Sequence, residues 1–126
     1  MKDEGRRMKG EDFRTRTKEF ALKVIRLCGK LQSGSAEIQV LRRQLVRAGT
    51  SVGSNYREAC RARSKAEFIS KLETCLQKAD ESQYWLELLI DGCQVEDPLA
   101  AWLHKESDEL MCILVTMVKN RKRGLE

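Results

Sequence analysis

Proline occurs once in this chain, at Pro98, and aromatic residues make up only 6% of it. Both scarcities argue against an all-β sandwich, whose strands favour aromatic and β-branched residues and whose turns favour Gly and Pro. Long apolar runs are missing too. The longest near-continuous one, residues 110–118 (LMCILVTMV), has nine residues, against the roughly 20 that a membrane-spanning helix needs. The first residues, MKDEGRRMKGED, contain no apolar stretch of the kind a secretory leader carries. The expectation is a cytoplasmic protein without a membrane segment.

Histidine is nearly absent: His104 is the single example. Five cysteines (Cys28, Cys60, Cys75, Cys93, Cys112) form no C-x-x-C pair, and their odd number does not suit a disulfide framework. A zinc site needs about four nitrogen or sulfur ligands at close local spacing, so no metal is expected and the thiols read as small buried hydrophobes. A di-metal oxidase would need two Glu-x-x-His pairs. Here Ala101 stands three before His104. Any Cys–His nucleophile would have to use that same histidine, which sits beside a charged run and reads as a helix-surface residue. No glycine-rich phosphate loop follows a strand, because Gly49 and Gly53 lie inside a helical pattern. No catalytic residue and no cofactor is expected. The chain does not read as an enzyme.

What is present is helical periodicity. The chain has 126 residues, 41% hydrophobic and 34% charged, enough for one domain. Phe13, Thr17, Phe20, Val24, Leu27 and Leu31 recur at steps of three and four, which predicts a helix over about 12–31. Ile38, Leu41, Leu45, Ala48, Val52, Tyr56 and Ala59 continue the rhythm over 36–61, after the cap-forming QSGS of residues 32–35. Ser64 and Glu67 form a capping box for a third helix over 65–91, with Gly92 as its expected C′ residue. Asp97 and Pro98 read as N-cap and N1 of a fourth, over 98–121. Residues 1–11 are left as a flexible charged arm and 122–126 as a basic tail. The expected fold is all-α, an up-down-up-down antiparallel four-helix bundle.

Two segments carry more apolar surface than one helix face can bury, namely residues 110–118 and residues 84–90 (YWLELLI). A second interface is therefore expected, with Tyr84, Trp85, Leu88, Met111, Leu114 and Val118 facing another copy. The alternative is a locally thick core. The stretch AGTSVGSN (48–55) is poor in helix propensity, so either tertiary contact sustains it or a loop splits the second helix. In the first case Gly49 and Gly53, one turn apart, let another helix approach closely.

Charge is unevenly distributed. Residues 1–35 hold ten basic and five acidic side chains and residues 36–66 seven and two, whereas residues 67–97 hold two and eight. On the second helix Arg43, Arg47, Thr50, Ser54, Arg57 and Arg61 fall within about 80° of one another, along about 27 Å of axis. Arginine binds phosphate oxygens bidentately, so this line, extended by Arg63 and Lys65, is a candidate nucleic-acid surface. No aromatic platform accompanies it, so recognition of RNA or DNA would be by phosphate and shape rather than by base stacking. Helix 3 mirrors the stripe with Glu73, Asp80, Glu87 and Asp91. The arginines could therefore serve subunit assembly, making the protein an interaction scaffold, or both faces could simply be solvated.

Three blocks carry a family resemblance: RAGTSVGSNYRE (47–58), SKAEFISKL (64–72) and ESQYWLELL (81–89). In order and spacing they resemble the bacterial four-helix-bundle proteins first noticed in intervening sequences of 23S ribosomal RNA genes. The similarity covers about residues 20–92, and helix 4 by character. Gly53 stands where many members carry Pro, and Ala59 where many carry Gly. The resemblance implies a homo-oligomer, usually a pentamer, with no established enzymatic activity. It extends distantly to the accessory proteins of diversity-generating retroelements, which associate with a reverse transcriptase and nucleic acid. A reverse transcriptase or other protein partner is thus implied by resemblance alone.

Overall fold

A computed structural model describes residues 10–124, with side chains from Asp12 onward. It is all-helical: α1 (Gly10–Lys30), α2 (Ala36–Cys60), α3 (Lys65–Glu87) and α4 (Pro98–Lys122), with no strand among the described residues. Residues 1–9 of the expected arm and 125–126 of the expected tail lie outside this range; residues 10 and 11 of that arm belong to α1, and Lys122 of the tail to α4.

Each helix start has its local chemistry. Ser35 accepts from the Ile38 amide at 3.3 Å, and Asp97 Oδ1 from the Leu99 amide at 2.9 Å, with Pro98 opening α4. Ser64 Oγ accepts from the Glu67 amide at 3.0 Å. Glu67 reaches back to the Arg63 amide at 3.2 Å, one residue before the N-cap. These bonds satisfy amides that a first helical turn leaves without partners.

The end of α3 departs from expectation. Its α-helical bonding stops at Glu87 and the chain continues as one wide π turn, Leu88–Gly92. Gly92 is not in the left-handed region. The positive φ falls on Gln94 at 53°, and the Val95 amide closes back on the Leu89 carbonyl at 3.0 Å. Asn and Asp are the residues most often tolerated there after Gly, so a Gln at this position gives no signal in the sequence.

α2 is one continuous helix, which settles the choice between contact and loop. The helix that approaches its small residues is α1: a Cβ on Gly53 would stand 3.1 Å from Thr17 Oγ1. Thr17 itself is buried and donates to the Phe13 carbonyl at 2.9 Å.

The core runs between all four helices. Phe13, Phe20 and Leu27 of α1 meet Leu45, Val52 and Tyr56 of α2, Leu72 and Leu86 of α3, and Leu103, Leu110 and Leu114 of α4 in one cluster. Phe13 and Tyr56 pack edge to face, centroids 4.8 Å apart. Ser82 and Ser107 are fully buried, and each donates to a carbonyl of its own helix (Lys78 at 2.8 Å, His104 at 2.6 Å). Such bonding removes the desolvation cost of a buried hydroxyl.

The seam between α1 and α4 is the least extensive of the main helix contacts and is largely polar. Arg16 Nε binds Glu106 at 2.6 Å, Lys23 lies 4.8 Å over the Trp102 ring, and Lys30 binds Asp97 at 3.0 Å. The carboxylates of Glu106, and secondarily of Glu109, hold the Arg16 guanidinium well above its ordinary basicity. Two cysteines behave as expected: Cys28 and Cys75 are buried, and burial pushes their thiols up to about 11 and about 12. Cys60 and Cys112 are exposed, because they fall on the solvent sides of α2 and α4.

Candidate nucleic-acid interface

Arg43, Arg47, Arg57, Arg61, Arg63 and Lys65 are all exposed. They do not form one uniform line. Arg57 faces a shallow groove of 290 Å³ between α1 and α2, lined by Arg14, Thr17, Lys18, Ala21, Thr50, Gly53, Ser54 and Arg57. Arg61 and Arg63 overlook a second depression of 310 Å³ shared with Glu58, Glu67 and Lys71. Its carboxylates are engaged: Glu58 holds Lys71 at 2.7 Å and Glu67 holds the Arg63 amide. That bond to Glu58 keeps the Lys71 ammonium above its ordinary pKa. Arg43 and Arg47 lie farther back along α2, and Lys65 turns toward α4, reaching the Lys122 carbonyl at 3.5 Å.

Gly53 lines the groove from α2 where that helix packs closely on Thr17 of α1, and the same groove is lined by Arg14 and Lys18 of α1 and Arg57 of α2. Among the described residues none of these three cations has a side-chain partner. Sequence reasoning missed Arg14 and Lys18. They are spaced i, i+4 beside Thr17 and Ala21, but α1 carries six cations between Arg14 and Lys30, and only its pairing with α2 distinguishes these two.

The two hydroxyls of the stripe are engaged within α2. Thr50 Oγ1 donates to the Val46 carbonyl at 2.7 Å and Ser54 Oγ to the Ser51 carbonyl at 3.2 Å. Their protons are used within the helix, as is common for Ser and Thr inside helices. That leaves Arg14, Lys18 and Arg57 as the side-chain donors of the groove without a partner among the described residues.

The acidic stripe of α3 does not meet the arginines within the chain. Glu73 pairs with Lys122 at 3.5 Å and Glu87 with His104 Nε2 at 2.9 Å, while Asp80 and Asp91 are exposed. His104 is thus half-buried and paired, beside a cavity of 400 Å³ that it shares with Glu87, Ile90, Asp91 and Ala101. Among the described residues no group of three His, Cys, Asp or Glu side chains could hold a metal ion.

The expected subunit interface needs correction. Leu114 has no exposure and Val118 only 9%, so both belong to the core of the single chain. α4 is apolar on several faces because it packs on α3 while also closing the core toward α1. Met111 and Trp85 are half-buried against that core, and Leu88 is half-buried in the π turn. Tyr84, 54% exposed and 5.3 Å from the Trp85 ring, does face outward. The other large exposed hydrophobics are Leu22, Ile25, Val40, Trp102 and Val115, distributed over α1, α2 and α4. None of the described helices is long and apolar enough to cross a membrane.

Residues 12–116 match the 23S rRNA-intervening sequence protein family. The chain belongs to that family. A crystal structure of a protein of unknown function from the S23 ribosomal protein family of Bacteroides thetaiotaomicron is 34% identical to it. The two superpose with a TM-score of 0.77 over 85% of this chain and 98% of that one. Comparison with curated proteins returns no match. The solved relative supports the all-helical fold and, being of unknown function, assigns no role to the α1/α2 groove.

Proposed function

We propose that this protein is a non-enzymatic, homo-oligomeric adaptor that binds the phosphate backbone of structured RNA or DNA through the α1/α2 groove. The observation that carries the reading is that Arg14 and Lys18 of α1 and Arg57 of α2 line one groove. These are three exposed or half-exposed cations from two helices, without partners among the described residues, lining one shallow groove. Arg43 and Arg47 continue the positive surface along α2. Unpaired cations focused in a groove raise the local concentration of polyanions.

The bundle is taken to run up-down-up-down, a reading supported by pairs that join opposite chain ends of neighbouring helices. Lys30 at the end of α1 meets Asp97 at the start of α4, and Lys122 at the end of α4 meets Glu73 near the start of α3. The homo-oligomer rests on the exposed Leu22, Ile25 and Tyr84 and on the family resemblance, which favours a closed ring of five. A ring repeats the groove, and repeated weak contacts add by avidity.

The test is a salt titration of binding to a fluorescein-labelled RNA hairpin, with light scattering on the same sample. Affinity should fall steeply with salt. A triple Arg14→Gln, Lys18→Gln, Arg57→Gln variant should keep its helicity and mass while its salt slope drops by about 0.7–0.9 for each phosphate no longer neutralised. Absence of hairpin binding at low salt would refute the reading. A variant that instead changes mass would assign the cations to assembly.

A further inference from the structure

Folding gathers at one end of the bundle cations that are far apart in the chain. Lys65 at the start of α3 touches the Lys122 carbonyl in the last turn of α4, and the Arg121 guanidinium lies 4.9 Å over the ring of Phe68. The α2–α3 connection and the end of α4 are therefore one surface. Residues 57–73 and 116–124 carry nine basic side chains against three acidic ones. All three carboxylates are already engaged there: Glu58 with Lys71, Glu67 with the Arg63 amide, Glu73 with Lys122. Among the described residues, the side chains of Arg61, Arg63, Lys119 and Arg123 have no partner, and all four are exposed.

The opposite end has the reverse character. Residues 87–97 hold four acidic side chains and no basic one. Of the cations near that end, Lys30 of α1 is taken by Asp97 at 3.0 Å and Arg42 of α2 binds Gln39 at 2.6 Å, while Arg26 and Arg43 are exposed on the sides of α1 and α2. The balance of charge thus shifts along the long axis of the molecule, from basic at one end to more acidic at the other. The C-termini of α2 and α4 both lie at the basic end, and their dipoles favour cations. That accounts for a preference but not for four uncompensated charges in one place, which repel one another until a polyanion arrives.

We infer that nucleic acid engages this protein end-on. The phosphate backbone lies across Arg61, Arg63, Lys119 and Arg123, continues through Arg57 into the α1/α2 groove, and leaves the acidic end turned away. The inference rests on the nucleic-acid reading above and adds a second contact surface and a polarity. In any cyclic ring, symmetry places all copies of this end at one height along the axis. A strand would then be held along one rim.

The deciding experiment compares three proteins on the same fluorescein-labelled RNA hairpin across a salt series. They are the wild type, an end variant (Arg61→Gln, Arg63→Gln, Lys119→Gln, Arg123→Gln) and the triple groove variant. The end variant should lower the salt slope by about 3, at roughly 0.7–0.9 per phosphate. If it binds like the wild type while the groove variant weakens, the end-on inference fails and the groove reading stands. If the wild type does not bind, both fail. A second readout needs no variant: lysine acetylation with mass spectrometry, with and without the hairpin. Lys119 should be protected by RNA and Lys30 should not. Equal protection at the two ends would overturn the polarity even if the quadruple variant proved unstable.

Discussion

Gly49 of α2 lies so close to Val24 of α1 that a methyl group on its Cα would stand 2.9 Å from Val24 Cγ2 and 3.3 Å from Val24 Cβ. The contact involves the whole stiff valine side chain and not a movable tip. Helix propensity alone says that Ala should stabilise this position by about 1 kcal/mol. Overpacking costs about 1–3 kcal/mol, so Gly49→Ala should destabilise the protein on balance. At Gly29, near the end of α1, a methyl group would meet nothing within 4 Å, and Gly29→Ala should gain up to about 1 kcal/mol. Urea denaturation of the two variants checks the contrast, and Val24→Ala should partly rescue Gly49→Ala.

Leu114 tests where the apolar surplus of α4 goes. With no exposure in the single chain, Leu114→Ala should cost about 2–5 kcal/mol through the cavity it leaves. The destabilisation should appear in unfolding experiments at concentrations where the mass is unchanged. Tyr84→Ala, by contrast, leaves no cavity in the single chain, and any shift of its unfolding midpoint should depend on protein concentration, as expected for a contact between copies.

The polar α1–α4 seam predicts a penalty for removing one charge. Glu106 is buried and receives two bonds from Arg16, at 2.6 and 2.9 Å. Glu106→Gln keeps the shape but leaves the guanidinium with only one of its two carboxylate partners, the exposed Glu109. A destabilisation of about 1–3 kcal/mol is expected, together with faster hydrogen exchange in α1 than in α3.

Asp97 predicts an acid-dependent contribution. The Leu99 amide, and then Lys30, hold its carboxyl below the ordinary value of 3.8. A carboxylate with a lowered folded-state pKa contributes its stability above the unfolded value and loses it as pH falls through the folded one. Asp97→Asn should therefore melt at lower temperature than the wild type at neutral pH. The difference should close as the pH is taken below about 3.8.

The thiols should divide by burial. Cys60 and Cys112 are exposed and should react promptly with an aromatic disulfide reagent, whereas Cys28 and Cys75 should react only on unfolding. Their raised pKa values also keep them in the unreactive thiol form at neutral pH.

Much of the fold was legible because it is written locally. A cap such as Ser64 with Glu67, or Asp97 before Pro98, acts over three or four residues. The apolar rhythm of Phe13, Phe20 and Leu27 repeats within one helix. Such signals depend on no other part of the chain, so the sequence by itself determined four helices, the starting residues of α2, α3 and α4, and which stripe of each is apolar; α1 starts at Gly10, two residues before its expected start. The end of α3 was not legible, because the π turn and the positive φ at Gln94 answer to how Leu89 and Val95 seat in the core.

The site followed the same division. Angles about one helix axis place Arg43, Arg47, Arg57 and Arg61 on one side of α2, and that much needs only the sequence. Which neighbour occupies each direction is a property of helix pairing and rotation. Only the tertiary structure set Gly53 against Thr17, bringing Arg14 and Lys18 to the groove, and joined the last turn of α4 to the α2–α3 connection. It also decided that Leu114 is spent inside the chain. Local hydrogen bonding and periodicity are short-ranged and can be read along the chain. Contacts between helices are set by the packing of whole faces, and no single segment encodes them.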